Sequence, residues 1–268
     1  MKKIFYTLAL VAGLSATNVA KAQTTDQDKQ PVAATTQTDY ATGQNAAMWK
    51  HNIAGAAGIQ VTYRHYNLDQ INQALNANGI PSLGNSDIFL NLTMDHIHGA
   101  WIFEDGLGLT PLTTSRNNNF KASFGQAQAY FRAGYNVTKG QPVSFFPFAG
   151  LNFSGAMLHL KDEARENTVN NFTTGLLAST SSKTYYQGNF GIELGAGLDY
   201  NIKMKSKVTD CVTIDRSIPI GIRAGYYINA ARGDWKFSDH TLDGSPTKNQ
   251  SAVFVSFSVG LGYSIHKQ

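Results

Sequence analysis

Glu193 and Asp199 stand six residues apart, an even spacing that puts both carboxylates on one face of a strand, where such a pair can divide general acid from general base. His159 with Ser154 or Asp162 forms a second group, near an outer strand end, with the residue types of a Ser-His arrangement that could transfer lipid acyl chains. His96 and His98 flank a single residue, so two imidazoles would share a strand face as half of a metal site. None of these groups has a motif around it. No histidine is followed by x-Ser, no Gly-x-Ser-x-Gly is present, and no third metal ligand falls at a suitable spacing. Structural ion pairing is the better reading of the two carboxylates, and the expectation is no catalytic residue, no metal and no cofactor. Cys211 is the only cysteine, which leaves no intramolecular disulfide, no CxxC pair and no thiolate cage.

The elements that carry these residues are strands. From Tyr186 to Ile202 every second side chain is apolar or small, with Gln187, Asn189, Glu193 and Asp199 among those between them. Val253, Val255, Phe257, Val259, Leu261, Tyr263 and Ile265 repeat the pattern against Ser256, Ser258, Gly260, Gly262 and Ser264. Side chains alternate faces in this way only along a strand. The polar parity then tells which way the apolar face points. Only 15% of residues are charged, against about 25% in typical soluble domains. Gly, Ser, Asn and Gln fill that parity, which makes a poor coat for water and a suitable barrel lumen.

The first residues read as an export signal. Lys2 and Lys3, an apolar run from Ile4 to Leu14 and Ala20-Lys21-Ala22 make a secretory signal of the Sec type, with cleavage after Ala22. The run is shorter than the ~20 residues of a membrane-spanning helix. Losing Lys2, Lys3 and Lys21 reduces the 22 basic residues to 19 against 18 acidic ones, so the mature chain is nearly neutral. Its cations are scattered without interleaved aromatics, which argues against nucleic acid as a partner. Residues 23–51 are polar and carry neither hydrophobic period, as in a flexible periplasmic leader.

Eight strand-like segments follow, near 56–67, 87–98, 99–112, 120–138, 143–160, 184–204, 217–237 and 251–266. An even count suits an all-β, closed, antiparallel up-and-down transmembrane β-barrel over residues 52–268, in which long outer loops alternate with short periplasmic turns. The connections near His98-Gly99 and 139–142 are tight. The one at 205–216 is long for its side. The first long connection carries Leu68, Ile71 and Leu75 on one helical face, Asn67 or Asp69 as N-cap, and Gly79 then Pro81 as a stop. A short helix packed on the barrel rim is expected there.

Two constellations follow from strand parity. Tyr135, Phe145, Tyr200 and Tyr263 share the apolar parity near the periplasmic strand ends and would form an aromatic belt. Arg64, Arg132, Glu193, Asp199 and Arg223 share the inward parity and nearly balance in charge. If the turn near 203–217 is symmetric, Arg223 lies opposite Gly197 and pairs with Asp199 or Glu193. Eight strands enclose a space that side chains can fill, so Gln60, Gln126, Gln128, Tyr130, Asn189, Tyr227 and Asn229 with these charges should leave no water channel.

The signal, short leader, eight outward-alternating strands and aromatic-ended strands such as Gly260 to Ile265 (GLGYSI) resemble the small bacterial outer-membrane barrels of the OmpA, OmpX and OmpW type. Many such barrels end on a terminal aromatic, whereas here Tyr263 is followed by Ser264-Ile265-His266-Lys267-Gln268. The resemblance implies an outer-membrane location and, as partners, membrane lipids and the barrel-assembly machinery. A structural, adhesive or surface-interaction role with an extracellular surface partner is the first functional expectation. Binding or passage of small hydrophobic molecules is the second, and a lipid acyl-hydrolase the third.

Overall fold

The computed structural model describes residues 53–65, 67–138, 142–166, 182–209, 212–242 and 251–267. The expected signal with its cleavage site, the leader, Cys211 and positions 139–141 of the second tight turn lie outside the described residues. Eight strands build the wall: β1 (Ile53–His65), β2 (Ser86–His98), β3 (Trp101–Leu109), β4 (Phe120–Tyr135), β5 (Val143–Asp162), β6 (Ser182–Lys203), β7 (Val212–Arg232) and β8 (Ala252–Lys267). Each pairs antiparallel with the next, and β8 pairs with β1. The ring is therefore a closed up-and-down barrel.

Its register fixes the stagger. Stepping across the ladders from Gly55 through His96, Phe103, Ala133, Ala149, Leu194, Tyr226 and Val253 returns to β1 at His65, ten residues further on. Strand number and stagger together set the tilt, roughly 40° here, and the narrow interior. The alternation read along the sequence becomes an inversion of the usual soluble arrangement. Leu92 is 69% exposed while its neighbour Asn91 is 1% exposed. Ile59, Val61, Phe153, Val255, Phe257 and Leu261 also stand outward, and Gln60, Thr62, Asn152 and Ser256 point in.

Most strand ends differ by a few residues from those read along the chain. β3 stops at Leu109 rather than 112, and the chain re-enters the sheet as Thr113–Arg116 beside β4. β7 stops at Arg232 rather than 237, beyond which Lys236–Phe237 and His240–Thr241 form a small hairpin against β6. The long connection at 205–216 is mostly sheet. Lys207–Val208 pairs back onto Thr213 and Ile214, Ser206 donates to Asp215 at 2.6 Å, and the Thr209 N–H reaches the Val212 carbonyl at 2.9 Å. A polar hairpin outside the apolar band satisfies its backbone without alternating hydrophobicity, so its sequence carries no strand signal.

The first long connection forms helix α1 (Asp69–Ala77). Leu68, rather than Asn67 or Asp69, occupies the N-cap position and offers no capping side chain. Asn67 instead accepts the Asp69 N–H from one residue further out, at 2.8 Å. Gly79 turns the chain at φ 70°, a left-handed conformation that glycine adopts without a Cβ clash. Leu68, Ile71 and Leu75 are buried with Leu83, Phe124, Leu158, Trp235 and Ala252. The helix thus sits over an apolar plug in the loop-end mouth.

Candidate functional site

Below that plug the lumen is mixed, because inward positions carry charged and amide side chains beside a buried cluster of Ile102, Phe146, Phe148, Tyr227 and Phe254, and each faces its counterparts across a narrow space. Six charges run along it in alternating order. Arg64 Nη2 lies 3.1 Å from Glu193 Oε1, and Arg132 Nε lies 2.7 Å from Glu193 Oε2. Arg132 Nη1 pairs with Glu104 Oε1, and Arg223 Nε with Glu104 Oε2 at 3.0 Å. Arg223 then clamps Asp199, Nη1 on Oδ1 and Nη2 on Oδ2, the latter at 3.1 Å. The sequence Arg64, Glu193, Arg132, Glu104, Arg223, Asp199 balances three cations with three anions.

Neighbouring groups fix that chain from the sides. Glu193 also accepts Asn152 Nδ2 at 2.8 Å, and Gln128 Oε1 accepts from Arg64 and Asn152 at 3.0 Å each. Tyr130 donates to Gln60 at 3.1 Å, and Thr62 and Ser256 share a hydrogen bond of 2.8 Å. Each guanidinium faces aromatic rings: Arg64 lies 4.6 Å from the Tyr227 centroid, Arg132 4.0 Å from Tyr130 and Arg223 4.8 Å from Phe146. Room for these side chains comes from glycine. A Cβ at Gly191 would lie 2.1 Å from the Tyr227 ring, and one at Gly197 2.4 Å from the Phe146 ring.

The five charges read from inward parity are thus joined through a sixth, Glu104. Its signal was available, since Ile102, Glu104, Gly106 and Gly108 share a parity and Glu104 pairs directly with Arg132 in the ladder. Gly197 pairs with Arg223, and Arg223 contacts Asp199 and Glu104; Glu193 belongs instead to Arg64 and Arg132. Gln126 sits nearer the loop end, donating to Asp87 at 3.3 Å, while Asn229 and Asn189 line the rim beside β6 and β7. At the turn end Asp95, Glu104, Asp199 and Arg223 border a recess, and Asp95 Oδ1 is buried with no hydrogen-bond partner.

The other candidate groups separate. His159 faces outward with its Nδ1 2.8 Å from Thr184 Oγ1, while Ser154 lies on the opposite parity of the same strand, so the two cannot form a nucleophile and base. His96 meets Asp105 rather than acting with His98. Among the described residues no group of three or more His, Cys, Asp or Glu side chains could hold a metal ion. Tyr135, Phe145, Tyr200 and Tyr263 stand outward near the turn end, and Trp101 joins them, its ring 5.3 Å from that of Tyr135.

No family model and no curated protein matches the chain. Solved structures similar in layout include Ail, the attachment invasion locus protein of Yersinia pestis (12% identity, 80% of this chain and 98% of that one, TM-score 0.35). Neisserial surface protein A is also similar (13% identity, 84% and 98% coverage, TM-score 0.37). A third is a major outer membrane protein from Thermus thermophilus (9% identity, 78% and 98% coverage, TM-score 0.37). These likenesses are distant, and the eight-stranded barrel stands on its own strand pairing.

Proposed function

We propose that the chain is an outer-membrane barrel that acts through contacts at its loop end and passes no solute. The observation that carries this reading is the filled lumen: Gln60, Asn152, Glu193, Phe89 and Phe254 have no exposed surface, and α1 with its apolar plug lies beyond them. Such an interior stiffens a platform. The outward apolar wall suits acyl chains, and the aromatics at the turn end suit a lipid boundary. Outer-membrane lipids and the assembly machinery are the partners this placement requires, with an extracellular surface partner at the loops. The polar outer side of α1, where Gln70, Gln73 and Asn76 are exposed, belongs to that surface.

Passage of small hydrophobic molecules would need an opening in the wall. The ladders run around all eight strands, interrupted where the register shifts between Phe190 and Gly191 and where pairing skips Gly260 and Leu261 opposite Pro219 and Ile218, with regular pairs on both sides of each break. The test is paired. Purified chain in planar bilayers and in swelling assays with small sugars should give no conductance above lipid alone. Cells displaying it should bind a host-cell or abiotic surface more than cells displaying a variant with Gln70, Gln73 and Asn76 changed to Lys. Steady open-channel currents, or equal binding by both, would refute the proposal.

A further inference from the structure

We infer that the outer face of β2 and β3 is an interface with a second copy of this chain inside the membrane, centred on His96 and Asp105. Asp105 shares the outward parity of Trp101, Phe103, Leu107 and Leu109, and its side chain is 46% exposed. Its partner His96, with Nε2 at 3.1 Å from Asp105 Oδ1, is 51% exposed on the neighbouring strand. Asp105 lies four residues in from Trp101 at the turn end, which is roughly 10 Å along the barrel axis at about 3.3 Å per residue and a 40° tilt. The apolar band of such barrels is about 25 Å tall, so the carboxylate stands well within it. Between the level of Tyr200 and Tyr263 and that of Tyr63 and Tyr226, no other Asp, Glu, Lys or Arg among the described residues has outward parity.

An acyl chain offers this pair no hydrogen bond, and ionisable groups on a lipid face are destabilising. A protein surface can supply the missing contacts, and this one is its own complement. Each copy presents an acid and a base side by side, so two copies related by an axis along the membrane normal can exchange His96 and Asp105 across the contact, as an isologous pair requires. The surrounding surface has interface character. Trp101, Phe103 and Phe131 form a continuous stack, with ring separations of 6.3 Å and 6.0 Å and interplanar angles of 14° and 19°.

The inference rests on the membrane placement proposed above, and its test separates the two. In a Cys211→Ser background, Leu107→Cys or Leu92→Cys should cross-link oxidatively into a homodimer in native membranes, while Ile222→Cys on the opposite wall should not. Adding Asp105→Leu should lower the cross-linked fraction at least tenfold, with heat-modified gel mobility reporting that the barrel is still folded. A monomer at every position, cross-links only to a different protein, or cross-linking indifferent to Asp105→Leu overturns the pairing. Labelling of Ile222→Cys by a membrane-impermeant maleimide would instead overturn the membrane placement.

Discussion

Replacing Arg223 by Met removes the terminal cation of the lumen chain and leaves Asp199 without any of the guanidinium contacts it makes in the native barrel. Arg223 is 2% exposed, and it holds Asp199 through two hydrogen bonds and Glu104 through a third. Glu104 keeps Arg132, so the cost falls mainly on Asp199. Breaking a buried pair from one side costs about 3–5 kcal/mol. At about 1.36 kcal/mol per factor of ten, the unfolded fraction should rise by two to nearly four decades. Met fills similar volume, so lost packing adds little. Urea titration in phospholipid vesicles, followed by heat-modified mobility, measures the change. The double variant Arg223→Met with Asp199→Asn removes both charges and should recover more than half of the loss. Coincident midpoints for Arg223→Met and the parent, or a further loss in the double variant, would refute the account of the lumen.

Gly191→Ala should cost about 1–3 kcal/mol by overpacking, since its Cβ would meet the Tyr227 ring at 2.1 Å. Gly188→Ala, whose added methyl would have nothing within 4 Å, should be neutral in the same titration. Leu75→Ala should cost about 2–5 kcal/mol within the loop-end plug, opening that plug locally and leaving the wall intact. Limited proteolysis should then cut within residues 67–85 of the variant and spare the parent, while heat-modified mobility stays unchanged.

Much of the wall was legible because a lipid-facing strand and a largely polar lumen impose a strict two-residue period, and a single parity error would invert every side chain. Tyr186 to Ile202 shows this without interruption. β3 was harder. Glu104 and Asp105 are adjacent, so one acid must face out, and a rule that sends all charge inward misplaces one of them. Glu104 consequently went unread although it joins Arg132 to Arg223. The hairpin beyond Lys203 lacked a signal because its strands are held by polar side chains and backbone outside the apolar band. The helix was visible from Leu68, Ile71 and Leu75, but its apolar partners, Phe124 and Trp235, lie far along the chain. Position on the rim or over the plug depends on those distant contacts, which local periodicity does not encode.

Spin labels placed singly at Leu92, Val255, Asn91 and Ser256 test most directly whether the apolar face of the wall meets lipid. In vesicles carrying the barrel, collisions with oxygen should dominate at Leu92 and Val255, and broadening by a water-soluble nickel chelate should be weak at all four sites. Nickel broadening at Leu92 and Val255 comparable to that of a free label in buffer would contradict an outward lipid face and return those side chains to water.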